Sequence, residues 1–135
     1  MLLHNQTQAI QRMNTLAKEG KDFIFIINYK ADSAYIEEFT NIDPRELLFS
    51  FSTLSNIPEA ESYSNEAVEW HTEPPTREDY EHRINLVKQR EREGDSYLAN
   101  LTCKIPVHTN LSLHDIFMRS KALYRCWMKE KFVCF

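Results

Sequence analysis

Six carboxylates crowd one thirty-residue stretch of this chain: Glu78, Asp79, Glu81, Glu91, Glu93 and Asp95 all fall within TREDYEHRINLVKQREREGDSYLANLTCKI, Thr76–Ile105. A magnesium ion takes one or two carboxylates together with substrate oxygens, so such a run is chemically competent to hold one. Arginines and lysines are interleaved with them at three- and four-residue spacing, which is the pattern of a solvated helix face carrying ion pairs. That second reading is the favoured one, and His82, set among Glu78, Asp79 and Glu81, reads as a surface histidine. His108 and His114 lie six apart with no cysteine or third histidine beside them, too few donors for a zinc site. The three cysteines, Cys103, Cys126 and Cys134, are odd in number, form no Cys-x-x-Cys pair and sit among apolar or aromatic neighbours. They are expected to be buried free thiols. Cys103 alternates with apolar residues and has no positioned base, which argues against a nucleophile.

The elements that must position these groups follow from spacing. Thr76 stands before a turn containing Asp79, and Tyr80, Ile84 and Val87 repeat at helical intervals up to Gly94. A hydroxyl cap at the start and a residue tolerant of positive φ at the end predict a helix between them. After Asp95 the period becomes two: Tyr97, Ala99, Leu101, Cys103 and Ile105 share one face, predicting a half-buried strand. Upstream, Thr7–Glu19 reads as a helix closed by Gly20, and the apolar run Phe23–Tyr29 as a buried strand with Tyr35–Phe39 as partner. Asp43-Pro44-Arg45-Glu46 makes a turn or single helical turn, and Leu47–Ser52 a further strand. Residues 56–75 are polar, contain three prolines and are expected to form a long surface connection inside one domain. Downstream, Pro106–Asn110 reads as a turn and Ser112 as the cap of a helix presenting Leu113, Ile116, Phe117 and Ser120. Tyr124–Met128 and Phe132–Phe135 are expected to pair as a hairpin across Lys129–Lys131, in preference to one long helix.

Composition narrows the function classes. With 135 residues, 42% apolar and 27% charged, the chain has the make-up of a single soluble domain. A net charge of −4 with both signs mixed argues against a nucleic-acid surface. No apolar run approaches the length of a membrane span and no signal-peptide pattern opens the chain, so the expected location is the cytoplasm, with no membrane partner. Two glycines, Gly20 and Gly94, stand where about nine would be usual at roughly 7%. Both are used at helix ends, which leaves none for a phosphate-cradling loop and excludes Walker-type and dinucleotide sites.

The segment Gly94-Asp95-Ser96-Tyr97-Leu98-Ala99-Asn100-Leu101, following a helix, resembles the Gly-Asp-x-Tyr-x-x-Asn-Leu segment of the chorismate-utilising enzymes. GKDFIFIINYK, DPRELLFSFS, NLTCKIPVHTNLSLHDIF and RSKALYRCWMKEKFVCF extend the likeness, in order, from about Met13 to Phe135. Within the family the pattern is most similar to the short form of aminodeoxychorismate synthase component I. The resemblance implies an α+β fold, helices on a mainly antiparallel sheet. It further implies amination of chorismate on the route to 4-aminobenzoate and folate, with magnesium as cofactor of the full-length enzyme, none expected to bind this chain specifically, and a glutamine amidotransferase component II as partner. It also implies that 1–135 is one partial domain, the N-terminal portion of such an enzyme, inactive alone. The family's metal-binding glutamates and its Pro-Ile-Lys-Gly-Thr segment have no counterpart here, so no catalytic, cofactor or metal residue is assigned. Related enzymes bind an aromatic amino acid beside an Asn-Pro-x-Pro-Tyr segment, matched here by Ser120-Lys121-Ala122-Leu123-Tyr124 with only the tyrosine kept. By that likeness Asn100, Ser120 and Tyr124 are the candidate ligand-pocket residues. Two other readings stand beside this one. One is a non-catalytic interaction module that self-associates through its apolar C-terminal strand edge. The other is a fragment of an anthranilate or isochorismate synthase.

Overall fold

A computed structural model describes residues 1–59, 62–63 and 65–135. The fold is α+β, with three α-helices and antiparallel sheets among the described residues. The chain divides into two compact units, Met1–Ser64 with Leu113–Phe135, and Asn65–Ser112.

The first unit is layered. Strands β1 (Leu3–Asn5), β2 (Phe23–Ile27) and β3 (Ser33–Glu38) form a sheet in the order β1-β3-β2. Helix α1 (Gln6–Lys18) covers one face of it, burying Ala9 and Leu16 against Ala34 and Ile36 with Met13 and Phe23 alongside. Asn5 caps this helix, its Oδ1 accepting from the Gln8 N–H at 3.0 Å while Gln8 Oε1 accepts from the Asn5 N–H at 3.1 Å. That reciprocal box explains why the helix starts just before the predicted Thr7. A second sheet, β5-β4-β8-β9, contains β4 (Leu47–Phe51), β5 (Leu54–Ser55), β8 (Tyr124–Met128) and β9 (Phe132–Cys134). Leu47, Phe49, Cys126 and Met128 point from it toward Ile24, Ile26 and Tyr35 of the first sheet. Leu48 and Trp127 point the other way, onto Phe117 of helix α3 (Leu113–Arg119). The order of layers is therefore helix, sheet, sheet, helix.

This layering accounts for the unbroken apolar run in β2. Phe23 faces α1 while Ile24 and Ile26 face the second sheet. Burial is less complete than predicted: Phe25 is 54% and Ile27 45% exposed. The reason is position, since β2 is the sheet edge and α1 packs on the neighbouring β3. The predicted hairpin at the C-terminus is present, with Cys126↔Cys134, Trp127↔Val133 and Met128↔Phe132 in register. Arg125 ties α3 to this hairpin, its Nη1 donating to the carbonyl of Phe117 at 3.1 Å and to that of Ser120. A cation on those carbonyls suits the negative end of a helix. Turns lacking glycine place Ala31, Ser52 and Glu130 at positive φ, conformations that cost L-residues about 1–2 kcal/mol each. At the predicted Asp43–Glu46 turn, the Arg45 guanidinium and backbone N–H hold the Asp43 carboxyl down to about 2.

The second unit contains helix α2 (Arg77–Glu93) and a two-stranded ladder of β6 (Trp70–Thr72) with β7 (Val107–Thr109). Both predicted ends of α2 are as expected: Thr76 Oγ1 accepts from the Asp79 N–H at 3.1 Å, and Gly94 adopts φ +84°. The predicted strand Tyr97–Ile105 is not a strand; it lies outside any ladder. Alternation gives a segment two faces but supplies no hydrogen-bonding neighbour, and a strand exists only when paired. Val107–Thr109, read from the sequence as a turn, takes the ladder position instead, against Trp70–Thr72 from within the polar 56–75 stretch. Ala60, Glu61 and Ser64 of that stretch lie outside the described residues. Among the described residues no helix is long and apolar enough to cross a membrane.

Candidate functional site

Of the three candidate pocket residues, two belong to the first unit and one to the second. Ser120 follows α3; its Oγ accepts from the Ala122 N–H at 3.1 Å, closing a local turn. Tyr124 opens β8 directly opposite Phe51, 58% exposed. Asn100 is an exposed residue of the unladdered segment after α2, in the second unit. Ser120 and Tyr124 thus sit at two sides of the α3–β8 connection.

What the first unit does build is an aromatic groove that sequence reasoning did not anticipate. A cavity of about 360 Å³ opens between β2 and the β4–β5 hairpin, lined by Phe23, Ile24, Phe39, Phe49, Phe51 and Leu54 together with Asp22. Phe49 anchors it, edge-on to Phe39 at 5.5 Å and stacked on Phe51 at 5.1 Å. Tyr124, registered against Phe51, extends the same sheet face. Such a wall suits an aromatic or branched apolar group, with one carboxylate to meet a donor. Phe23, Ile24, Phe39, Phe49 and Phe51 were legible as strand residues, Leu54 and Asp22 were not; only the packing of two sheets makes them a cavity.

The titratable clusters resolve differently. Glu81 pairs with Arg77 at 2.6 Å, and Arg90 bridges Glu93 at 3.1 Å and Asp95 at 3.3 Å. These side chains form the solvated, ion-paired helix face that the spacing favoured. His108 belongs to the second unit and His114 to the first. His108 lies opposite His71 in the β6–β7 ladder, ring centroids 6.4 Å apart, with its Nε2 2.9 Å from Glu73 Oε1. His114 packs edge-on against Trp127 at 5.0 Å. Asn110 secures the ladder by accepting from the Glu69 N–H at 3.0 Å and donating to the Ala67 carbonyl at 2.9 Å. Among the described residues no group of three or more His, Cys, Asp or Glu side chains is placed to hold a metal ion.

The cysteines are not uniformly buried. Cys126 is buried, Cys103 half-buried and Cys134 exposed, the last because it ends an edge strand. Burial, and then the Cys134 thiol across the strand, push the Cys126 thiol up to about 12. A thiol held protonated is a poor nucleophile. Iodoacetamide at pH 8 is therefore expected to label Cys134 ahead of Cys126 in the folded chain, read by peptide mass spectrometry. Equal labelling rates would contradict the burial of Cys126.

Two relatives carry the same description. The chain is 26% identical over 126 residues to an uncharacterized PabA-like protein of Pasteurella multocida (strain Pm70), covering 93% of this chain and 39% of that protein. It is 28% identical over 131 residues to an uncharacterized PabA-like protein of Haemophilus influenzae, covering 93% of this chain and 38% of that one. The chain spans about two fifths of the length of these curated relatives. No protein-family profile matches it. No solved structure matches it either.

Proposed function

We propose that this chain is the N-terminal portion of an aminodeoxychorismate synthase component I, the subunit that aminates chorismate on the route to 4-aminobenzoate, and that it is inactive alone. The relatives' name ties them to the para-aminobenzoate synthase system, whose PabA component is the glutamine amidotransferase. The component I assignment rests on one observation, the Gly94-Asp95-Ser96-Tyr97-Leu98-Ala99-Asn100-Leu101 segment leaving a helix whose end is set by Gly94 at positive φ. An amidotransferase would need a cysteine activated by a neighbouring base. Cys126 does not meet that need: it is buried, and burial pushes its thiol up to about 12. Among the described residues no group of acidic side chains is placed to hold magnesium, and Glu81 and Glu93 of α2 and Asp95 just beyond it are engaged by arginines. No step through the metal is assigned to this chain, and a component II amidotransferase is the expected partner of the longer protein.

The experiment joins the 135-residue chain, after Phe135, to the part of the Haemophilus influenzae relative outside the match. The fusion is expected to convert chorismate to aminodeoxychorismate with ammonia and magnesium, and the 135-residue chain to give none. Turnover by the chain alone would refute its inactivity. Release of ammonia from glutamine by the fusion would refute component I in favour of an amidotransferase. Anthranilate or isochorismate as product would keep the family and change the chemistry.

One feature favours a second reading. Strand β9 is a sheet edge ending at Cys134, and Phe135 after it is 62% exposed. A chain using this edge for self-association would elute as a dimer by size exclusion with light scattering. A monodisperse monomer rejects that module.

A further inference from the structure

Strands β8 and β9 set two cysteines directly opposite one another. Cys126 pairs with Cys134 in the antiparallel register, next to Trp127↔Val133. Directly opposed residues of an antiparallel pair have Cα atoms about 4.5–5.5 Å apart and side chains on the same face. A disulfide needs a Cα separation of about 4.4–6.8 Å, so either kind of opposed pair falls inside its range. Packing shows which face this is. Cys126 and Met128 lie in the core between the two sheets, with Phe132 packed against it. Cys134 is two residues beyond Phe132 on the same strand and shares its face. Trp127 and Val133 take the opposite face, toward Phe117. The third cysteine, Cys103, belongs to the second unit.

The two thiols are not equivalent. Cys126 is 6% exposed, whereas Cys134 stands in the open on the edge strand. A dissolved oxidant of tripeptide size therefore reaches Cys134 and not Cys126. Burial first, and the neighbouring Cys134 second, push the Cys126 thiol up, so it is not the sulfur that attacks first.

We propose that Cys126 and Cys134 are a reversible redox site, in which a low-molecular-weight disulfide oxidises them to a bond across the β8–β9 hairpin. The Cys134 thiolate attacks one sulfur of the oxidant, forming a mixed disulfide and releasing one thiolate. Cys126 then gives its proton to solvent, its sulfur attacks Sγ of Cys134, and the second thiolate leaves. Two protein thiols are oxidised and one disulfide is reduced to two thiols, so no other electron acceptor is needed. The bond ties edge strand β9 to β8, which is held on its other side by β4. The edge that could serve for self-association is thereby fixed in the oxidised chain and free to fray in the reduced one. The inference rests on strand register and burial, not on the chorismate chemistry proposed above.

The reduced 135-residue chain is equilibrated without oxygen in mixtures of glutathione and glutathione disulfide, quenched with acid and mapped by peptide mass spectrometry. A Cys126–Cys134 linkage in a chain lighter by two hydrogens is expected, and dithiothreitol is expected to reverse it. The balance point is the squared glutathione concentration divided by that of its disulfide at half-oxidation. It is expected to be at least about tenfold higher for the folded chain than in concentrated urea, because a fold that already opposes the sulfurs favours the bond more than a flexible loop does. A balance point no higher than in urea would overturn the inference. So would a linkage between Cys134 residues of two chains as the main product, or glutathione retained on Cys134 with Cys126 still reduced.

Two variants test the order of events. Cys126→Ala is expected to hold glutathione on Cys134 as a lasting mixed disulfide. In Cys134→Ala, Cys126 is expected to react with glutathione disulfide at least about tenfold more slowly than Cys134 does in the native chain. The first substitution alters a buried position and the second an exposed one, so the second serves even where the first does not fold. Equally fast reaction of Cys126 in Cys134→Ala would overturn the assigned roles.

Discussion

Phe49→Ala is expected to destabilise the first unit by about 3–5 kcal/mol, measured by urea or thermal unfolding. The side chain is wholly buried and touches both the stacked ring of Phe51 and the edge-on ring of Phe39. It points into the space between the two sheets, so its removal enlarges the groove already present beside it. A site next to existing empty space cannot collapse around the loss, which places the cost toward the upper part of that range. Phe25→Ala is the control. It removes the same atoms from a ring that is 54% exposed, and is expected to cost under about half as much. For a domain of ordinary stability, about 5–15 kcal/mol in all, the first change is severe and the second is tolerated. Equal shifts from the two substitutions would mean that the two sheets are not packed face to face as described.

The second large effect is expected at Asn56. Its Nδ2 donates to the Leu47 carbonyl at 2.8 Å and its Oδ1 accepts from the Phe49 N–H at 2.8 Å. Its own N–H donates to the Phe49 carbonyl at 3.3 Å. Strand β5 pairs with β4 only at Ser50↔Ser55 and Phe51↔Leu54. The Asn56 amide continues the ladder where β5 stops, serving as a side-chain substitute for two further peptide groups. Asn56→Ala leaves a part-buried donor and a part-buried acceptor without partners and is expected to cost about 1–3 kcal/mol. Asn56→Asp keeps the acceptor for Phe49 N–H but sets a carboxylate against the Leu47 carbonyl, and is expected to be no better than alanine. Exchange of the Phe49 amide reports on the bond directly. If that amide exchanges no faster in Asn56→Ala than in the native chain, the substitute ladder has no energetic weight.

Asn56 also shows where reading the chain from its residues stopped. It lies at the start of the polar stretch taken as a surface connection, and nothing in its neighbours marks it as part of a sheet. The groove has the same character. Phe39, Phe49 and Phe51 are recognisable as strand or strand-end residues, yet they become a cavity wall only when β2 and the β4–β5 hairpin face one another. The candidates carried over by resemblance fared unevenly: Tyr124 lies on the sheet face shared with Phe51, Ser120 closes a turn, and Asn100 belongs to the other unit.

The amino-acid sequence by itself determined those features whose two halves are near neighbours in the chain. The Thr76 cap and the Gly94 stop of α2, the β2–β3 and β8–β9 hairpins and the ion-paired face of α2 each depend on groups within a few residues of one another. Short separations need little loop closure, so local chemistry suffices to specify them. Tertiary structure alone decided which segments become strands when the partner is remote. Val107–Thr109 is a strand because Trp70–Thr72 pairs with it, and Tyr97–Ile105, with the better alternating pattern, is not one because no ladder receives it. Side-chain periodicity records which face of a segment is apolar. The hydrogen bonds that make a strand belong to two segments at once, and only the folded chain brings the second one into place.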